Sequence, residues 1–171
     1  MKRAEPLQAK WWNVVFFLTA LLVVVADQFS KIGIRSYPVG YTVFEVGFFR
    51  IMRVPPNTGA AFGSFQGQSF ALTIVALVGI ITILAYTLFF SRWFPSLESR
   101  LGKSALGLVL GGITGNLIDR LNPSLGGVTD FINISIWPTF NIADSAITVG
   151  LILFAYSLRF LSRAKNLDLA D

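Results

Sequence analysis

Asp130 and Asp144 flank a short apolar stretch beside the last hydrophobic run of a chain that has no histidine and no cysteine. Carboxylates close to hydrocarbon are costly to keep charged and usually serve a function. Without His or Cys, the common nucleophile–base pairs and soft-metal sites are unavailable. Two aspartates sharing one proton remain a workable acid–base device, one accepting a proton while the other donates.

Several polar groups accompany them. In Phe140-Asn141-Ile142-Ala143-Asp144-Ser145, Asn141 suits an N-cap and Asp144 the acid at N3, a capping-box-like helix start that can also hold a catalytic rotamer. Asn116 and Arg120 lie one helical turn apart on one face. The Arg120 guanidinium there could orient a carboxylate or a loop carbonyl, or serve as a structural latch. Asp27 and Lys31 are spaced i, i+4, which fits an interfacial salt bridge at the end of a span. Asn57 begins Asn57-Thr58-Gly59-Ala60-Ala61-Phe62-Gly63. Its amide can offer a donor and an acceptor to a peptide backbone, and Gly59 and its small neighbours allow close approach; an ordinary turn explains the same residues. Gly107, Gly111 and Gly115, with Gly112, form a seam for close helix packing and carry no chemistry.

The elements that must position these residues are membrane spans. Only 13% of the 171 residues are charged and 54% are hydrophobic, with a mean hydropathy of +0.66; a soluble domain carries about 25% charged residues. Charge-free runs cover 11–26, 104–118 and 145–158, and a longer apolar run covers 69–90. A bilayer core needs about 20 helical residues, so the shorter runs must draw Asp27, Asp119, Arg120 and Asp144 to the hydrocarbon edge. The expected fold is an all-α membrane bundle of four transmembrane helices with a small extracytoplasmic β-sheet. It forms one integral membrane domain over 1–171, with spans at about 11–30, 69–90, 103–121 and 141–161 and an outer β segment at about 38–68. That segment is rich in β-prone Tyr41, Val43, Phe44, Val46, Phe48, Phe49, Ile51, Met52 and Val54, broken by Pro38, Gly40 and Gly47 and ended by Pro55 and Pro56. The first run follows Lys2, Arg3 and Lys10, as in a signal peptide. Val24 is too large for the −3 position of a cleavage site after Ala26, so an uncleaved span is expected.

The net charge of +5 does not imply nucleic acid, because no basic stripe interleaves with aromatics on a polar face. The charges instead define a topology. Lys2, Arg3, Lys10, Arg92, Arg100, Lys103, Arg159, Arg163 and Lys165 fall on one side, and Lys31, Arg35, Arg50, Arg53 and Arg120 on the other, nine against five. Both termini are therefore expected in the cytoplasm. Asp27, Asn57, Asn116, Arg120, Asp130, Asn141 and Asp144 then all converge on the outer face.

In order along the chain, Asp27-Gln-Phe-Ser-Lys31, Asn57-Thr-Gly-Ala-Ala-Phe62, Gly111-Gly-x-x-Gly-Asn116-x-x-Asp-Arg120, Val128-Thr-Asp130-Phe and Phe140-Asn141-x-Ala-Asp144-Ser145 resemble the bacterial lipoprotein signal peptidases, the type II signal peptidases. The resemblance covers most of the chain. It implies a monomeric aspartic endopeptidase of the bacterial cytoplasmic (inner) membrane, with no cofactor or metal. Its partners would be membrane lipids and prolipoproteins whose lipobox cysteine carries diacylglycerol, cut just before that cysteine. Asp130 and Asp144 match the family's catalytic dyad. Asn57, Gly59, Asn116, Arg120 and Asn141 match its polar active-site segments, and Asp27 and Lys31 the pair at the end of the first span. The outer β segment resembles the family's cradle, and globomycin-type cyclic peptides would occupy the dyad.

Two other functions fit membrane-embedded acids. A proton-coupled transporter would need polar residues through the full depth, and the second and fourth spans offer little beyond Thr73, Thr82, Thr87, Thr148 and Ser157. A non-enzymatic assembly factor with a surface sheet gives no reason for Asp130 and Asp144 together.

Overall fold

The computed structural model describes residues 7–59, 67–90 and 99–167. Lys2, Arg3 and Arg92 of the charge bias, and residues 60–63 of the Asn57 segment, lie outside the described residues. Among the described residues, four helices are long and apolar enough to cross a membrane. They are α1 (Leu7–Arg35), α2 (Ser69–Ala85, running on into a π-helical turn at Tyr86–Phe90), α3 (Arg100–Leu121) and α4 (Ile142–Leu167).

α3 is the central helix, with the other three packed against it. In its most apolar stretch 67% of the residues are buried within the protein, against 22% or less in the others. The outer three turn Leu21, Leu22, Val75, Val78, Leu151 and Ile152 outward, as expected of surfaces solvated by lipid. Thr73 and Thr82 return their hydroxyls to Ser69 O and Val78 O inside α2, so neither hydroxyl meets lipid as an unsatisfied donor. Phe16 and Ala20 of α1 meet Leu106 and Leu110 of α3, flanked by Ile80, Ile83 and Leu84 of α2 and Phe154 of α4.

Close packing on α3 rests on its glycines. A Cβ at Gly107 would sit 2.6 Å from Phe16 O, at Gly111 2.7 Å from Ala20 O, and at Gly115 2.6 Å from Asp27 Oδ2, all on α1. At Gly112 it would sit 2.4 Å from Ala143 O and 2.7 Å from Ile147 Cγ1, on α4. Gly112→Ala should therefore cost about 1–3 kcal/mol through overpacking, seen as a lower Tm in detergent. Gly33→Ala is the control, because nothing lies within 4 Å of its Cβ and alanine favours a helix interior by about 0.5–1 kcal/mol. Equal Tm values for the two variants would show that the α3–α4 contact yields without cost.

A three-stranded antiparallel sheet sits at the end of the bundle formed by the C-termini of α1 and α3 and the N-terminus of α4. It comprises β1 (Thr42–Val46), β2 (Phe49–Met52) and β3 (Ile132–Ile134), in the order β1-β2-β3. β1 and β2 form a hairpin in which Val46 pairs with Phe49, and Gly47 takes the positive φ of +55° that the tight turn requires. β3 comes from the segment after Asp130 and pairs Phe49 with Ile134 and Ile51 with Ile132. The sequence placed the sheet in 38–68; this third strand, from beyond α3, is an addition. Its three residues are too few to show an alternating pattern. The prolines end the hairpin as expected, but pairing resumes at once, with Asn57 bridged to Val128 by two backbone hydrogen bonds of 2.8 and 2.9 Å. Thus the Asn57 segment is fastened to the segment that leads into Asp130.

Candidate active site

The N-terminus of α4 builds the first half of the site from local sequence. Asn141 Oδ1 accepts the Asp144 N–H at 2.9 Å, and Asp144 Oδ2 accepts the Asn141 N–H at 3.2 Å. This is the reciprocal capping box expected from the spacing. It leaves Asp144 Oδ1 for another partner, Asn116 Nδ2 of α3, at 2.7 Å.

Asp130 lies in the extended segment between α3 and β3 and is buried. Its Oδ1 accepts from Asn141 Nδ2 at 2.7 Å, and its Oδ2 from Asn57 Nδ2 at 2.9 Å. Asn57 Oδ1 in turn accepts the Gly59 N–H at 2.9 Å. Gly59 O accepts from Arg120 Nη2 at 3.2 Å, so of the two roles open to Arg120 the structure shows the loop-carbonyl contact. Its guanidinium also stands in the field of Asp144 and Asp130. Three asparagines thus hand N–H groups to two carboxylates, and Asn141 joins the halves by donating both to Asp130 and to Asn116 Oδ1, the latter at 3.0 Å.

Burial pushes the Asp130 carboxyl up from 3.8 to about 6, and the charge of Asp144 adds to the rise; the Asn57 and Asn141 donors and the Lys31 charge oppose it. A raised folded-state value favours folding at low pH. This contribution is fully present below 3.8 and is lost as pH rises through about 6. The gap of about two pH units corresponds to at most about 3 kcal/mol. The 13Cγ resonance of Asp130 should therefore titrate near pH 6. Asp144→Asn should move the midpoint down by removing a neighbouring charge, and Asn57→Ala should move it up by removing a donor. A midpoint near 4 in the folded wild type would show that Asp130 is solvated.

Asp27 and Lys31 were expected as an interfacial pair closing the first span. Instead α1 continues to Arg35, and both side chains are fully buried, with Lys31 Nζ 2.7 Å from Asp27 Oδ2. α3 receives them: Lys31 Nζ donates to Asn116 Oδ1 at 3.0 Å and lies 3.5 Å from Asp119 Oδ2. The other oxygen of Asp27 accepts the Ala143 N–H at 3.0 Å, so a carboxylate of α1 meets the positive end of α4.

Asp119 is the functional neighbour that the sequence reading left without a role. Fully buried, it binds Arg35 Nη2 at 2.6 Å and Gln28 Nε2 at 3.3 Å, and accepts the Thr129 N–H at 2.9 Å. Arg35 Nε also donates to Thr129 Oγ1 at 2.8 Å. The residue before Asp130 is therefore held to both α1 and α3. A signal was present: Asp27, Lys31 and Arg35 share one stripe of α1, and Asn116 and Asp119 share one face of α3.

Fold and site define a class: a four-span membrane protein with a pair of carboxylates, held by asparagine amides, at the sheet end of the bundle. A family profile described as Signal peptidase (SPase) II matches residues 19–160. A lipoprotein signal peptidase of Dehalococcoides mccartyi is 48% identical over 142 residues, covering 82% of this chain and 86% of that one. One from Moorella thermoacetica is 39% identical over 145 residues, covering 84% and 91%. A bacterial membrane enzyme solved by the in meso method is 32% identical with a TM-score of 0.73, covering 88% of this chain and 90% of its own. The chain belongs to the signal peptidase II family and is a multi-pass bacterial membrane protease.

Proposed function

We propose that this protease removes signal peptides from diacylglyceryl-modified prolipoproteins, cutting before the lipidated cysteine, with Asp130 and Asp144 as an aspartic dyad. The observation that carries the reading is the hydrogen-bonded unit Asn57–Asp130–Asn141–Asn116–Asp144, in which each carboxylate is gripped by amide donors at one end of the bundle. The family membership and the lipoprotein signal peptidases among its relatives support the substrate class.

In the proposed reaction one carboxylate, ionised, takes a proton from a water held between the pair. The other, protonated, donates a hydrogen bond to the scissile carbonyl oxygen. The water oxygen attacks the carbonyl carbon, and a tetrahedral intermediate forms. Its collapse breaks the C–N bond as a carboxyl proton passes to the leaving amine. Water is the only co-reactant. The charge of Asp144 acts on Asp130, and the reaction requires one proton between the two carboxyls.

With both termini cytoplasmic, the site lies near the outer face, where the diacylglyceryl chains stay in lipid while the peptide bond meets water. The signal helix packs against the apolar flanks of the bundle. Arg120 and Asn57 hold Gly59 by its carbonyl oxygen and its N–H, beside the dyad. A transport function is disfavoured by the apolar cluster of Phe16, Ala20, Leu106 and Leu110, which packs α1 against α3 in the bundle interior.

The test is cleavage of a diacylglyceryl-modified prolipoprotein by the purified protein in lipid. The expected product begins at the modified cysteine, and the unmodified precursor should be cut about 100-fold more slowly because it is not held at the right depth. Equal rates on both precursors would remove the lipid-depth specificity. No cleavage by folded protein would remove the function.

A further inference from the structure

Lys31 is a fully buried cation that the proposed reaction leaves without a task. Neutralising Asp27 is one use for it. Its contact with Asn116 points to another. The two ends of an asparagine amide are nearly identical in shape, so neighbours decide which end faces which. An ammonium has three N–H groups and no acceptor. Hence the end of Asn116 that meets Lys31 Nζ at 3.0 Å is its oxygen, and its NH2 is turned to Asp144 Oδ1 at 2.7 Å.

The other two asparagines are oriented in the same way, but by backbone. Gly59 N–H holds the oxygen of Asn57, and Asp144 N–H holds that of Asn141. Of the three, only Asn116 has its oxygen end held by a charged side chain. A reversed Asn116 would face Lys31 and Asn141 Nδ2 with its own N–H groups and turn a carbonyl oxygen toward the Asp144 carboxylate, and every one of those contacts is repulsive. Because Asn141 Nδ2 is shared between Asn116 Oδ1 and Asp130 Oδ1, the disturbance would reach the second aspartate.

We propose that Lys31 is a positioning residue of the protease site: its ammonium fixes the amide polarity of Asn116, so that an N–H group rather than a carbonyl oxygen faces Asp144. The proposal rests on Asp130 and Asp144 as the reacting pair. It differs from a charge-neutralising role in a way that experiment can read. The buried cluster contains Asp27 and Asp119 against Lys31 and Arg35. The double variant Asp27→Asn/Lys31→Met keeps that balance and removes the donor to Asn116.

The experiment compares wild type, Asp27→Asn and Asp27→Asn/Lys31→Met in lipid, by Tm, kcat and KM for the lipidated substrate, and the 15N–1H signal of the Asn116 side-chain NH2, assigned by its loss in Asn116→Asp. Positioning by Lys31 predicts that kcat of the double variant falls about 100-fold below that of Asp27→Asn, with KM within about twofold and a slowly exchanging Asn116 NH2 turned fast-exchanging. Activity in the double variant equal to that of Asp27→Asn, with the NH2 signal unchanged, would overturn it and leave Lys31 as a counter-ion.

If the double variant fails to fold, Asn116→Asp decides. It keeps acceptors toward Lys31 and Asn141 but presents no N–H to Asp144. The proposal then requires a kcat loss of similar size in protein shown to be folded, with the Tm lowered by the lost Asn116–Asp144 bond, and near wild-type kcat would overturn it. Absence of cleavage by the wild type would sink the proposed function, whereas the amide signal would still report whether Lys31 orients Asn116.

Discussion

Asp130→Asn and Asp144→Asn are each expected to lower kcat for the lipidated prolipoprotein by about 10³-fold or more, since each removes one member of an acid–base pair whose contributions run to 10²–10⁴ apiece. Neither substitution is silent for folding. Both oxygens of Asp130 accept amide N–H groups, from Asn57 and Asn141. An asparagine there turns its own NH2 on one of them. At 144 the oxygens accept from Asn116 Nδ2 and the Asn141 N–H, and one of these bonds is likewise lost. Each loss should cost about 1–3 kcal/mol, a few degrees in Tm and well short of unfolding. Inactivity is therefore to be read in protein shown to be folded by thermal melting in detergent. Substantial turnover by either folded variant would end the dyad assignment.

Asp119→Ala is expected to have the largest effect on stability, a loss of about 3–5 kcal/mol, because it strands buried charge. Four groups converge on this one carboxylate: Lys31, Arg35, Gln28 Nε2 and the Thr129 N–H. Lys31 keeps Asp27, whereas Arg35 loses its acid, and the segment before Asp130 loses its tie to α3. Poor accumulation in membranes and a sharply lower melting temperature should follow. Asp119→Leu with Arg35→Leu provides the control: both charges leave together, the Asp27–Lys31 pair stays balanced, and part of the stability should return. Melting of Asp119→Ala within a degree or two of wild type would show that the carboxylate clamps nothing.

Three carboxylates of the site, Asp144 of the dyad and its neighbours Asp27 and Asp119, show how far local pattern carries. Asp144 was legible because a capping box is a relation between i and i+3, formed wherever a helix starts at Asn141. Asp27 was legible as the partner of Lys31, again one turn away. Their burial was not, because it depends on α3 lying against α1, and the glycines that allow this approach reveal a seam without naming the helix across it. Asp119 had no partner within one helical turn to betray it; its partners are Gln28, Lys31 and Arg35 on another helix and the Thr129 N–H beyond the end of its own. β3 was hidden for the same reason, since three residues become a strand only when β2 is beside them.

By itself the sequence determined the four apolar spans, the outer β-prone segment broken at Pro38, Gly40 and Gly47, the helix cap that sets Asp144, and the gathering of polar residues at one end of the bundle. All of these follow from hydrophobic run length, turn chemistry and neighbours within one helical turn. The tertiary structure decided which helix is central, which residues hold the Asp130 segment, and which way the three asparagine amides point. Those outcomes depend on contacts such as Lys31 with Asn116, 85 residues apart, and Asp27 with Ala143, 116 apart. Hydrogen-bond polarity at such a contact is set by both partners together, and no periodicity in one segment can specify the donor that another will bring.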